Sequence, residues 1–222
     1  MTDTTIPQAV ARTDTQTGPQ TVVRGRERTR ALLLDAAADV FAEVGLDAAS
    51  VEAICERAGF TRGAFYSNFE SKEELMLALT SQIAEQKIEQ VTARARELQE
   101  AGVRLPPAEL VERMLDVAID RRAGILLYSE IRTHALRDPR LAETYLAWQD
   151  GIVERIGTVI AELGRAYGLK PRIAETEFAR VIMQNWEDTA ATALMEGLDF
   201  EAMCARVSER TARLAAALID PA

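Results

Sequence analysis

The chain has 222 residues, 48% of them hydrophobic and 27% charged, enough material for one large packed domain or a small one beside a larger one and unlike a disordered or fibrous chain. No apolar run approaches the roughly 18 residues of a membrane span, and the polar, Thr- and Pro-bearing opening lacks the apolar core of a secretory signal, so a cytoplasmic protein is expected. A net charge of -9 argues against a surface that coats nucleic acid uniformly, since phosphate binding draws on Lys and Arg, but it leaves room for a local basic tip.

Residues 1–23 read as a disordered tail. "RGRERTR" at 24–30 then places four Arg against one Glu, which reads equally as a polyanion-binding tip and as a solvated charged tail. From Thr29 to Val44 the apolar residues Leu33, Ala36, Ala37, Val40, Phe41 and Val44 recur at helical spacing, and Gly45 supplies a stop. Ser50 is a suitable N-cap for a short second helix with Val51, Ile54, Cys55 and Ala58 inside, ending at Gly59. Thr61 caps a third helix running to about Phe69. Ser71 with Glu74 forms the S-x-x-E box that opens a fourth, which carries Leu75, Ala78, Leu79 and Ile83 and then turns polar before Gly102 and the Pro106–Pro107 break.

Everything beyond the prolines also reads as helix. Leu110, Met114 and Val117 mark one, Leu127 and Ile131 another, and Asp138–Pro139 opens a long one bearing Leu141, Tyr145, Trp148, Ile152, Ile156, Ile160 and Leu163. Two more cover 173–195 and 200–218. No strand alternation, repeat or Gly-rich phosphate loop is present, so the expected fold class is all-α, with a small N-terminal domain over 24–72 and a larger helical domain over 73–222.

The second and third helices are too short to persist alone, and a tight turn at Gly59 joins them, the form of a helix-turn-helix whose second helix enters the DNA major groove. Phe65 and Phe69 stand four apart and can pack inward. Arg62 and Tyr66, also four apart, share the opposite face with Gly63, Ala64, Ser67 and Asn68. Arg suits a bidentate contact with guanine, small residues let backbone approach bases, and Tyr, Ser, Asn and Lys72 suit phosphates. Arg28, Ser50 and Thr61 complete the candidate DNA-facing set. A plain helical packing motif with a polar outer face remains the alternative from spacing alone.

"RALLLDAAADVFAEVGLDAASVEAICERAGFTRGAFYSNFESKEEL", residues 31–75, resembles the DNA-binding segment of the tetracycline-repressor (TetR) family of bacterial transcription regulators. The resemblance lies in the pattern from Ala36 to Gly45, in Glu56–Gly59, in Arg62–Phe69 and in Ser71–Leu75. It implies a homodimer of all-helical subunits, each with an N-terminal DNA-binding domain and a C-terminal effector-binding and dimerisation domain. It also implies a base contact at Arg62, close backbone approach at Gly63 and phosphate contacts at Tyr66 and Lys72. Ala64 and Cys55 depart from the commoner Thr and Ala. Two-fold symmetry would place the third helices about 34 Å apart on a roughly palindromic operator, and repression relieved by a small molecule is the commoner mode in the family.

By the same resemblance the stripe of Phe200, Met203, Cys204, Val207, Leu214 and Leu218, with Phe178, Ile182 and Trp186, is expected at the dimer interface; taken alone it reads as core. For the effector pocket the candidates are Met114, Tyr128, Arg132, His134, Trp148, Met183, Asn185 and Trp186, with Asp188 beside them. Each reads equally as a buried structural contact. Cys55 and Cys204 are read as buried small hydrophobes, and the sole histidine, His134, has no second His with which to hold a metal. No nucleophile with a base, metal cluster or cofactor loop stands at recognisable spacing, so neither a catalytic residue nor a cofactor is expected. A helical protein-interaction module without DNA binding is the competing function.

Overall fold

The computed structural model describes residues 19–103, 105–118 and 122–221. In chain order these form α1 (Pro19–Val44), α2 (Val51–Ala58), α3 (Arg62–Tyr66), α4 (Lys72–Glu100), α5 (Pro107–Ala118), α6 (Arg122–Ala135), α7 (Pro139–Tyr167), α8 (Glu175–Met195) and α9 (Phe200–Leu218). The all-α expectation holds with one addition. The three-residue strands β1 (Leu169–Pro171) and β2 (Ile219–Pro221) pair antiparallel, Lys170 opposite Asp220. Segments this short show no alternation; their register is held instead by Arg172, whose Nε and Nη2 donate to Asp220 Oδ1 at 2.9 and 2.7 Å.

The helix starts follow the capping residues. Ser50 Oγ accepts from Ala53 N at 3.1 Å, Thr61 Oγ1 from Ala64 N at 3.2 Å and Ser71 Oγ from Glu74 N at 3.1 Å. Gly59 takes φ 73°, a left-handed conformation that glycine adopts without strain, and this makes the tight turn between α2 and α3. Two boundaries differ from expectation. α1 begins at Pro19 and takes in 19–23, which the sequence placed in the tail; residues 1–18 of that tail lie outside the described residues. α3 stops at Tyr66 because Ser67 Oγ and Asn68 Nδ2 both donate to Ala64 O at 2.8 Å, competing with the helix ladder.

One hydrophobic cluster joins the N-terminal helices to the rest. Leu33, Ile54, Phe65, Phe69 and Leu75 share it with Leu127 and Ile131 of α6 and Tyr145 of α7, and α4 runs unbroken across the 72/73 boundary. Part of the stripe assigned to the dimer interface faces inward, while Phe200 at its start is 50% exposed. Met203 and Val207 are buried against Ile125, Ala190 and Ala193, and Phe178 packs with Ala215 and Ile219. The outer faces of α8 and α9 are what remain exposed.

Candidate nucleic-acid interface and ligand cavity

α3 has two unlike sides. Phe65, in the last turn of the helix, and Phe69, just past its end, are buried with ring centroids 5.7 Å apart, so the inner side of this five-residue helix is anchored through its C-terminal end. Arg62, Gly63, Tyr66 and Ser67 are exposed, with Ala64 half-buried between them. The Arg62 guanidinium lies 5.8 Å from the Tyr66 ring and pairs with Glu52 Oε1 at 2.7 Å, so the free chain holds this cation extended across the α2–α3 surface. Ser50 and Thr61 are exposed, their oxygens engaged as caps.

Two predicted contacts are placed differently. Asn68 is only 8% exposed, its amide donating to Ala64 O, so it is turned into the fold instead of outward. Lys72 is half-buried, and its Nζ donates to Leu46 O at 2.7 Å, tying the start of α4 to the α1–α2 loop. The basic run is divided as well. Arg26 Nη2 donates to Ser67 O at 3.0 Å and Arg30 Nη1 to Asn68 O at 2.8 Å, with Arg30 lying 4.1 Å from the Phe69 ring centre, whereas Arg28 is exposed. Arg26 and Arg30 thus answer the carbonyls just past α3, where cations are favoured. Burial pushes the Cys55 thiol up from its ordinary value, in keeping with its place in the core.

A cavity of about 290 Å³ opens among α4 to α9. Its wall is mostly apolar, with Ile152, Ile156, Ile160 and Leu163 supplied by the α7 stripe. Of the candidate pocket residues, Met114, Tyr128, Trp148, Met183 and Trp186 line it. Arg132, His134 and Asn185 do not. Arg132 reaches Glu187 Oε2 at 3.6 Å from the outside, and His134 Nε2 sits 3.0 Å from Glu130. Asn185 Nδ2 donates to Thr211 Oγ1 at 3.0 Å, and Thr211 is itself on the wall. Asp188 is exposed and faces Arg210. The acidic residue on the wall is its neighbour Glu187, which the sequence reading passed over although it stands four residues from Met183 on the same helical face.

Glu187 ends a polar chain. Tyr145 OH donates to Tyr128 OH at 2.8 Å, and Tyr128 in turn lies against the carboxyl. Burial raises the Glu187 carboxyl above its ordinary value, and the nearby Tyr128 hydroxyl and the charge of Arg132 oppose that rise. Burial, followed by the charge of Glu187, pushes the Tyr128 phenol far up, so it stays neutral. Among the described residues, no group of three or more His, Cys, Asp or Glu could hold a metal ion, and no helix is long and apolar enough to cross a membrane.

A capped helix-turn-helix on an anchoring bundle, continued by α4 into a helical domain, defines the class of helix-turn-helix proteins with an appended helical domain. The model of the bacterial regulatory proteins of the tetR family matches residues 33–79. An uncharacterized HTH-type transcriptional regulator of Mycobacterium tuberculosis is 32% identical over 119 residues, 54% of this chain and 59% of the relative. UidR of Escherichia coli, an HTH-type transcriptional regulator, is 32% identical over 114 residues, 51% of this chain and 55% of the relative. These matches span little more than half of either relative. In fold the chain is similar to a protein from Mesorhizobium loti assigned as a TetR-family regulator, with a TM-score of 0.64 over 87% of this chain and 98% of that one at 18% identity. It is also similar to a transcriptional regulator from Rhodococcus, with a TM-score of 0.58 over 85% and 95% at 20% identity. Residues 33–79 thus match a tetR-family DNA-binding segment, and the fold around them is similar to that of a TetR-family structure.

Proposed function

We propose that the protein is a sequence-specific DNA-binding transcriptional regulator, acting as a cytoplasmic homodimer on a roughly palindromic operator and released from it by a small molecule held in the α4–α9 cavity. The observation that carries this reading is the division of α3: Phe65 and Phe69 fix one side in the core while Arg62, Gly63 and Tyr66 stand together on the exposed other side. Within the reading, Arg62 contacts bases and Tyr66 and Arg28 contact phosphates, Thr61 and Ser50 serve first as caps, and Lys72 offers its remaining N–H donors beside the start of α4. The dimer uses the outward faces of α8 and α9, since Met203, Val207 and Phe178 are already taken up by core. The match over 33–79 disfavours a helical interaction module without DNA binding.

The test is fluorescence anisotropy with duplexes from the DNA flanking the protein's own coding region, titrated at several salt concentrations. A saturable shift, tighter than on random duplex and weakening steeply with salt, is expected. Equal affinity for all duplexes at every salt concentration would refute the reading. Sedimentation at micromolar concentration checks the dimer, and a monomer there would refute the two-fold arrangement.

A further inference from the structure

The chemistry of the cavity wall narrows what can occupy it. Glu187 is 11% exposed, and its two oxygens differ: Oε2 faces Arg132 at 3.6 Å, whereas Oε1 is buried without a hydrogen-bond partner. The Arg132 guanidinium is 61% exposed, so water shares its charge and the inner side of the carboxylate is left unneutralised. A desolvated carboxylate oxygen with no donor is unfavourable until a donor or a cation meets it. Beside it stand electron-rich ring faces. Tyr128, Tyr145 and Trp148 form a mutually tilted trio with centroids 5.6 to 6.2 Å apart, and Tyr128 and Trp148 line the cavity.

We propose that the cavity takes a lipophilic cation, an apolar body bearing one ammonium group, with the ammonium against Tyr128 and Trp148 and with Glu187 as its counter-ion. This inference rests on the reading of the cavity as the effector site and gives that effector a chemical class. Aromatic faces attract ammonium groups through their quadrupoles, and the attraction grows when water is excluded. The apolar remainder of the wall takes the body of the ligand. An anion would bring a second negative charge beside Glu187; Lys87 of α4, half-buried, is the other charged residue bordering the cavity, and an anion probe tests whether it outweighs Glu187. A purely apolar ligand would leave Glu187 Oε1 unanswered. Trp148 Nε1, also buried without a partner, can donate to an ether or carbonyl oxygen of the ligand but balances no charge.

The experiment uses the full chain without DNA and three probes of one size: benzyltrimethylammonium, its uncharged isostere neopentylbenzene, and the anion para-tert-butylbenzoate. The chain has 2 tryptophans, and both Trp148 and Trp186 line the cavity, so intrinsic fluorescence reports occupancy directly. The cation should bind at least about tenfold more tightly than its isostere, and the anion least tightly. Glu187→Gln, or Glu187→Met should the first variant fold poorly, should abolish the preference while leaving neopentylbenzene binding unchanged. Equal binding of cation and isostere, tighter binding of the anion, or a preference that survives both variants would overturn the inference while leaving a ligand cavity and the regulator reading intact. No binding by any probe would overturn both the inference and the effector half of that reading, and the DNA half would still be decided by the anisotropy titration.

Discussion

Arg28 and Arg30 are two residues apart in one basic run, yet the structure gives them separate tasks that a pair of alanine variants can resolve. Arg30 donates to Asn68 O at 2.8 Å, lies 4.1 Å from the Phe69 ring centre and sits 3.9 Å from Glu74. A hydrogen bond from a charged donor contributes about 1.5–3 kcal/mol and an exposed cation–π contact about 0.5–1 kcal/mol, while a surface ion pair adds little. The side chain is 39% exposed, so solvent screens part of this and about 2 kcal/mol is the expected loss in Arg30→Ala. With a urea slope of roughly 2–3 kcal/mol/M, the unfolding midpoint should fall by about 0.7–1 M. Arg30→Lys should recover little, because an ammonium lacks the planar fork that bonds the carbonyl and lies over the ring. Arg28→Ala should leave the midpoint in place and instead lower the salt slope of operator binding by about one. Circular dichroism in urea and anisotropy against salt measure the two quantities. An Arg30→Ala variant with unchanged stability and a salt slope reduced as in Arg28→Ala would refute the division.

Further outcomes follow from individual contacts. Arg62→Ala should weaken operator binding about ten- to a hundredfold and relax preference at one base position, whereas Tyr66→Phe should weaken all duplexes alike; equal losses on specific and random DNA for both would contradict these roles. The raised Glu187 carboxyl means that the folded state holds its proton more tightly than the unfolded chain does, so its stabilisation is complete below the ordinary carboxyl range and is lost as pH rises through the raised value. Glu187→Gln escapes that loss. Its Tm advantage over the parent should therefore grow between about pH 4 and about pH 8, and a difference independent of pH would refute the burial argument. A Cβ at Gly164 would meet Leu169 O at 2.8 Å, whereas one at Gly151 of the same helix meets nothing within 4 Å. Gly164→Ala should cost about 1–3 kcal/mol and Gly151→Ala should gain up to about 1 kcal/mol in urea melts; shifts of the same sign would contradict the close approach of α7 to β1.

Periodicity and caps made most of the helices legible, because Ser50, Thr61, Ser71 and Asp138 mark starts locally and the apolar stripes mark the buried faces. The early start of α1 was hidden because residues 19–28 carry no apolar period. What the structure adds there are long-range bonds from Arg26 and Arg30 to the end of α3, which no local pattern records. Asn68 was misplaced for a related reason. A wheel drawn to Phe69 turns it outward, but the helix has already ended at Tyr66. The stripes of α8 and α9 were legible as apolar faces, not as to partner, and their own α5 and α6 neighbours claim much of them. The cavity was beyond the sequence in a stronger sense. It is the space left where stripes from several helices fail to meet, so Ile156 and Leu163 look like core on α7 alone.

The cavity and α3 are joined by packing. Tyr128 and Trp148 line the cavity and also pack on the cluster that holds Phe65, Phe69 and Leu75, with Leu127 and Ile131 of α6 in the same cluster. Close-packed interiors transmit displacement, so a ligand that parts Tyr128 from Trp148 presses on the anchors of α3 and on α4, whose Lys72 holds the α1–α2 loop. Any resulting loss of operator affinity must be matched by an equal loss of ligand affinity on DNA. Ile131 is 0% exposed, lies in this cluster and does not itself line the cavity, which makes it a test of the route. Ile131→Val should cost only about 0.5–1.5 kcal/mol of stability, yet it removes a methyl group from the middle of the cluster. With benzyltrimethylammonium as the ligand, the ratio of operator Kd with and without it should shrink, while ligand binding to the free protein stays near the parent value. An unchanged ratio in a measurably destabilised variant would show that coupling does not pass through this cluster and would leave α4 alone to carry it.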